Sequence, residues 1–217
     1  MHKTTNRTSL APIPQRGINL AQSYIRDKFF VPFGFYIIMA AQFFSALADN
    51  ALLIIAIAAL REMNAPAAYE PLLKTFFTVS YVALAALVGA FADSMPKGRV
   101  MFISNAIKIV GCSLMFFSVH PLVAYAVVGL GAAAYSPAKY GILTDYLPHR
   151  LLVVANGWIE GLTVGAIILG VVIGGALIQP TIAETLLRFD FPLIDIGIDT
   201  VSEMALCFVG IFYILAA

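Results

Sequence analysis

Apolar runs about as long as a bilayer is thick leave this chain few ways to fold. Five of them occupy residues 33–60, 72–92, 100–119, 122–143 and 151–178, and a sixth begins at Val201 and reaches Ala217. About 20 apolar residues in a helix cross the hydrocarbon core, and there only helices or closed barrels satisfy every backbone polar group. Composition agrees, with 61% of the 217 residues hydrophobic and 12% charged and a mean hydropathy of +0.91, too apolar for a chain whose surface faces water. The expected fold is an all-α membrane protein, a six-transmembrane-helix bundle over residues 33–217 behind a basic tail over residues 1–32. Short connections make neighbouring helices antiparallel, and only the one over residues 179–200 is long. The sixth span stops at Ala217 without a flanking basic cluster, so the chain is expected to be truncated there.

The tail carries Lys3, Arg7, Arg16, Arg26 and Lys28 but no cleavage site, and the apolar run behind it exceeds a signal core. Lys and Arg gather in short cytoplasmic segments. With the N-terminus inside, those five residues share the cytoplasmic side with Lys97, Arg99 and Arg150, against Arg61, Lys74 and Arg188 outside. A net charge of +1 offers no footprint for nucleic acid. Cys112 and Cys207 fall inside apolar runs and read as buried thiols, and neither a metal nor a cofactor is expected.

Charge inside hydrocarbon costs about 2.5–3.5 kcal/mol even on the gentlest scale, so Asp49, Lys108, Lys139 and Glu160, with Asn50 and Asn156, need a reason to be there. At 1.5 Å per residue, Asp49, Lys108 and Glu160 lie roughly 24, 12 and 14 Å into their spans, near the midplane. Helical spacing puts Gln42, Ser45 and Asp49 on one face, Asn105 and Lys108 on another, and Asn156, Glu160 and Thr163 on a third. Such stripes must face the bundle interior or a water-filled cavity. Two readings stay open: the residues line a substrate or coupling-ion path, or they form buried ion pairs that only fix packing. In the fifth span, Gly161 with Gly165 and Gly170 with Gly174 are small-xxx-small pairs, with Gly175 adjacent, and are expected to let a neighbouring helix approach closely.

The segment Gly89-Ala-Phe-Ala-Asp93-Ser-Met-Pro-Lys97-Gly98-Arg99 resembles the loop motif of the major facilitator superfamily. Ser94 and Pro96 stand where that motif commonly has a basic residue and a glycine. Gly157, Ala166, Gly170-Val171 and Gly174-Gly175 are similar to the family's glycine-rich fifth helix, and Gly129-Leu-Gly131 to part of its fourth. Tyr125 occupies the place of the fourth-helix arginine, so proton coupling through that arginine is not implied. A closer resemblance, over roughly residues 40–178, is to the bacterial lysophospholipid transporters of the superfamily. It rests on the string from Ala41 to Asp49-Asn50, on Asp93-Ser94 with Lys97-Gly98-Arg99, on Ser136-Pro137-Ala138-Lys139-Tyr140-Gly141, and on Asn156-Gly157 with Glu160.

The resemblance implies a secondary transporter of the bacterial inner membrane that moves lysophospholipids from the outer to the inner leaflet for reacylation. This chain would supply the N-terminal half, and a C-terminal half or a second chain would complete the central cavity. Asp49 and Lys139 are the leading head-group or ion-path candidates, Lys139 near the cytoplasmic end of its helix beside a break at Pro137. Asp93, Lys97 and Arg99 are expected at a cytoplasmic gate, with Arg99 paired to Asp145. A superfamily transporter of another small molecule or a drug, and an inactive half-transporter, are the alternatives. An acyltransferase is disfavoured, because none of His2, His120 and His149 has an aspartate five residues on, and no phosphate-binding glycine loop points to a nucleotide-driven pump.

Overall fold

A proline stands in or beside every turn between helices up to residue 180, where its missing N–H costs nothing because the first turn of a helix leaves that donor unpaired. The computed structural model describes residues 33–187 and 200–217. Helix α1 (Phe33–Glu62) closes through Asn64 at φ 51°, with the Ala65 amide donating to the Leu60 carbonyl at 3.0 Å. Helix α2 (Tyr69–Ser94) stops before Pro96, and α3 (Lys97–Phe116) starts after it. Ser118, at φ 59°, ends α3 in the same left-handed way. Helix α4 (Pro121–Tyr146) is capped by the His120 ring, which accepts from the Leu122 amide at 3.3 Å, and Pro148 caps α5 (His149–Leu177). Helix α6 (Pro180–Leu187) is short, and α7 (Val201–Ala216) opens on a capping box of Thr200 and Glu203.

Helices α1, α3, α4 and α5 are each long and apolar enough to cross a membrane, and α2 is a fifth when its two segments, bent by 66° between Leu84 and Leu87, count as one span. Helix α7 has 16 residues, about 24 Å against a hydrocarbon thickness of ~30 Å, so the expected sixth span is present as a shorter apolar helix. The basic tail and residues 188–199 of the long connection lie outside the described residues. Residues 180–187 of that connection, expected as loop, form α6, because Pro180 supplies a preformed first turn. Lys97, Gly98 and Arg99 are likewise not loop: they form the first turn of α3 behind Pro96. Helix α4 also runs unbroken through Pro137, held between α2 and α3, where a break was expected.

Helices meet where glycine removes the side chain. A Cβ on Gly170 or Gly174 of α5 would stand 2.5 Å from the Leu47 carbonyl oxygen or 2.8 Å from that of Ala51, so α1 and α5 touch backbone to backbone. Gly129 and Gly131 admit α2 and α3 to α4 in the same manner. Gly161, Gly165 and Gly175 behave otherwise, since a Cβ there would meet nothing within 4 Å. The packing expected at those three glycines is not made within the described chain, because the face that α5 turns to α1 carries Ala155, Ile159, Ala166, Gly170 and Gly174 instead.

Among the described residues, two apolar clusters flank the polar residues of α1 and α3, and a smaller one of Val88, Ala133 and Ala134 joins α2 to α4. Of the two, one gathers Leu52, Ile55, Leu60, Leu73, Met115, Val128 and Val209, and the other Ile38, Ala92, Val100, Tyr135 and Ile142. Buried Ser45, Asn105 and Lys108 occupy the level between them along α1 and α3. At the end of the bundle where α1 turns into α2, Arg61 donates to both oxygens of Glu70, at 2.8 and 3.2 Å.

Candidate functional site

Asp49 is the centre of the polar level. Lys108 Nζ on α3 donates to its Oδ2 at 2.7 Å, and the Tyr213 hydroxyl on α7 donates to its Oδ1 at 2.8 Å. The Tyr125 hydroxyl on α4 reaches the Asp49 backbone oxygen at 3.4 Å. Lys108 also donates to Ser45 Oγ at 2.9 Å, and its ammonium lies 5.2 Å from the ring centre of Tyr135 and 5.9 Å from that of Tyr213. Two bonds and two ring faces thus replace water around a lysine whose side chain is 2% exposed. Asp49, 18% exposed, is the more open partner of the pair.

The network continues sideways. Ser45 Oγ donates to Asn105 Oδ1 at 3.0 Å, and Asn105 Nδ2 donates to the Ala216 carbonyl at 2.6 Å, tying α1, α3 and α7 together. Gln42 Nε2 donates to Thr163 Oγ1 at 2.9 Å, tying α1 to α5. The stripes on α1 and α3 therefore meet each other, and of the expected α5 stripe Thr163 joins α1.

A cavity of about 360 Å³ lies against this level, its wall formed by α1, α2, α4 and α5 with Lys108 from α3. Its charged lining residues are Asp49, Lys74, Lys108 and Lys139, and Asn50, Thr78, Tyr81, Tyr135 and Ser136 add polar groups. Asn50 spends one donor on the Ala46 carbonyl at 2.8 Å. Lys139 is buried, 3.6 Å from Glu160 Oε1 and 4.5 Å from the ring centre of Tyr140, whose hydroxyl donates to the same Glu160 oxygen at 2.5 Å. Lys139 lines the cavity wall two turns before its helix ends at Tyr146, while Glu160 is half exposed and outside that wall.

Other expected site residues lie elsewhere. Asn156 is exposed and does not line the cavity, because α5 turns Ala155 and Ile159 inward. In the loop motif, Lys97 Nζ bonds Asp93 Oδ1 at 2.6 Å and the Ala92 carbonyl at 3.0 Å, and its stem covers Gly141 of α4. Gly89 and Gly98 face open space. No ion pair joins Arg99 to Asp145 among the described residues, both being exposed; the pair formed in that motif is Lys97 with Asp93, four residues apart in sequence.

Sequence alone does not single out Tyr213, Tyr125, Tyr135 or Lys74 as site residues. The tyrosines merge with the apolar runs that hold them, and Lys74 reads as a flank of the second span. A hydroxyl inside an otherwise apolar span is the available signal for the tyrosines, since a buried phenol needs a partner.

Chemically the site offers cations and hydroxyls around one carboxylate that is already bonded on both oxygens. It can bind an anion directly. It can bind a cation at Asp49 only when Lys108 or Tyr213 withdraws.

Residues 38–189 match the family profile of the Major Facilitator Superfamily. Over 158 residues, 73% of this chain, the sequence is 44% identical to a lysophospholipid transporter, LplT, of Yersinia enterocolitica. It is 42% identical to the proteins of that name in Yersinia pestis and Yersinia pseudotuberculosis over the same length. The matched segment spans 39% of the length of each of these relatives.

Proposed function

Because this chain belongs to the Major Facilitator Superfamily, we propose that it forms part of a secondary transporter that moves lysophospholipids from the outer to the inner leaflet of a bacterial inner membrane. The observation that carries the reading is the cavity, where Lys74, Lys108 and Lys139 with Ser136 and Thr78 face one space while apolar helix surface lies outside. A phosphate-bearing head group needs charge-assisted donors in a sheltered polar place, and its acyl chain is content against apolar helices or lipid. The relatives named for lysophospholipid transport support that cargo over a drug or sugar. Met1 faces the cytoplasm in this proposal, as the basic residues indicate.

Alternating access needs two helical units rocking about a central site. We therefore propose that a second unit, in continuing sequence or in another chain, closes the cavity. Asp49 and Lys108 would then form the part of the path that must rearrange, because every donor to Asp49 comes from a different helix. Lys97 and Asp93, with Arg99 beside them, would stand at the cytoplasmic gate.

The test is uptake of radiolabelled lysophosphatidylethanolamine by spheroplasts that lack their own lysophospholipid transporter and express the natural gene product. Conversion to the diacyl lipid should exceed the empty-vector control at least tenfold and fall to near that control with Asp49→Asn at equal expression. Uptake no greater than the control removes the lipid reading. Wild-type uptake with Asp49→Asn would make Asp49 a packing residue.

A further inference from the structure

Helices α4 and α5 are consecutive in sequence but packed on different partners. Gly129 and Gly131 set α4 against α2 and α3, while Gly170, Gly174 and the Gln42–Thr163 bond set α5 against α1. The cavity lies between the two, lined by Tyr135, Ser136 and Lys139 of α4 and by Thr163 and Ile167 of α5.

One carboxylate bridges them at the margin of that space. Glu160 stands one turn from Thr163, on the side where α4 turns into α5. It accepts from the Tyr140 hydroxyl at 2.5 Å and lies 3.6 Å from the Lys139 ammonium, which sits 4.5 Å from the centre of the Tyr140 ring. The two donors are not equal. The phenol bond is as short as a charge-assisted bond becomes, whereas a tight lysine–carboxylate bond measures about 2.7–2.9 Å. Tyr140 therefore makes the firm contact, and Lys139 is held loosely enough to turn to an anion in the cavity whose wall it forms. Exposure bears on the role as well. An ion pair that only fixed packing would be enclosed between its helices, but the Glu160 side chain is half exposed at a depth where a carboxylate does not face lipid. It stands in an opening between α4 and α5, and its bond to Tyr140 spans that opening.

We propose that Tyr140, Glu160 and Lys139 form a latch that closes the cavity toward the turn between α4 and α5, and that an anionic group bound at Lys139 releases it. The inference rests on the transport reading above and adds the device that bars the path. That end of the cavity faces the cytoplasm in the topology proposed there. An anion that takes Lys139 removes the cation beside Glu160 and leaves the phenol as its remaining donor. The weakened bridge joins two helices packed on separate partners, so they part where it stood. Tyr140 is a positioning residue, acting through Glu160 on the opening rather than on the cargo.

The experiment uses the natural gene product with Cys112 and Cys207 replaced by serine and Thr78→Cys introduced as a reporter on the cavity wall. In inverted vesicles without added lipid, a membrane-impermeant maleimide reaches that thiol past the latch. Tyr140→Phe keeps the ring beside Lys139 and removes the hydroxyl; it should raise the labelling rate about tenfold, the effect of one bond to a charged group. Lys139→Gln imitates a lysine withdrawn by an anion and should raise it about threefold, the effect of a loose ion pair. Labelling from the outer face, in intact cells, should not rise in either variant. An unchanged rate with Tyr140→Phe, or an equal rise from both faces, overturns the latch; a rise with Tyr140→Phe but not with Lys139→Gln overturns its release by an anion. In spheroplasts, bridging Tyr140→Cys to Glu160→Cys with a permeant, reducible bifunctional thiol reagent should stop uptake of radiolabelled lysophosphatidylethanolamine, and a reductant should restore it. Uptake that persists through complete cross-linking overturns the proposal. Should the double cysteine variant take up nothing before cross-linking, the labelling rates decide alone. Failure of the natural gene product to take up the lipid defeats the lysophospholipid reading, while the labelling rates, measured without lipid, still decide the latch.

Discussion

Replacing Lys108 with methionine keeps most of the stem and removes the ammonium that bonds Asp49 at 2.7 Å. The Asp49 carboxylate then stays in a low-dielectric layer with the Tyr213 hydroxyl at 2.8 Å as its remaining side-chain donor. Breaking a buried ion pair by deleting one partner costs about 3–5 kcal/mol. Asp49 keeps 18% exposure and one charge-assisted bond, so the loss should fall at the lower end, about 3 kcal/mol. Asp49→Asn alone strands the Lys108 ammonium between Ser45 and two aromatic rings, at a comparable cost. The double variant leaves neither charge stranded and should lose about as much as either single variant, a coupling of about 3 kcal/mol. That magnitude separates an ion pair from an ordinary hydrogen bond inside a membrane protein, which averages about 0.6 kcal/mol by the same method. The assay is reversible unfolding of the four proteins in mixed micelles along a gradient of denaturing detergent. A coupling under about 0.5 kcal/mol would refute the view that this pair organises the polar layer.

Three further outcomes follow from the same geometry. Gly174→Leu should destabilise the bundle by at least about 2 kcal/mol, because its Cβ would meet the α1 backbone, whereas Gly161→Ala should change micelle unfolding by less than about 0.5 kcal/mol. In the spheroplast assay, Lys139→Arg should retain more lysophospholipid uptake than Lys139→Gln, because a bound phosphate needs the cation; equal activity of the Lys139→Gln variant and the wild type would reduce Lys139 to a partner of Glu160. With Cys112 and Cys207 replaced by serine, Ser94→Cys should react with a membrane-impermeant maleimide only in inverted vesicles, and labelling in intact cells would reverse the topology.

The helices were legible because hydrocarbon imposes a length on them and proline punctuates their ends. The polar stripes on α1 and α3 were legible for the opposite reason: Gln42, Ser45, Asp49, Asn105 and Lys108 stand out against apolar neighbours, and helical spacing puts each set on one face. Which stripe meets which was not legible, since that depends on how helices are arranged around α1. The same limit separates Gly170 and Gly174 from Gly161 and Gly165: both pairs have the spacing, but only one faces α1. Asn156 fails similarly, lying on the spacing of a stripe but on the rim of the face that α5 turns inward. Glu70 pairs with Arg61 across the turn between α1 and α2 rather than with Lys74 one helical turn on, a competition that sequence leaves undecided. Tyr213 and Tyr135 were hidden by belonging to the hydrophobic count.

Whether the cavity beside Asp49 and Lys108 is where the lipid head group sits is best tested by photo-cross-linking. A lysophospholipid carrying a diazirine on its head group would be irradiated with the natural gene product in native membranes, and the labelled peptides identified by mass spectrometry. Label should concentrate on the cavity wall, at Thr78, Tyr81, Ser136 and Thr163, and excess unlabelled lysophospholipid should remove it. Label confined to outward-facing residues such as Val153, Val164 and Ile168, and unaffected by the competitor, would contradict the assignment.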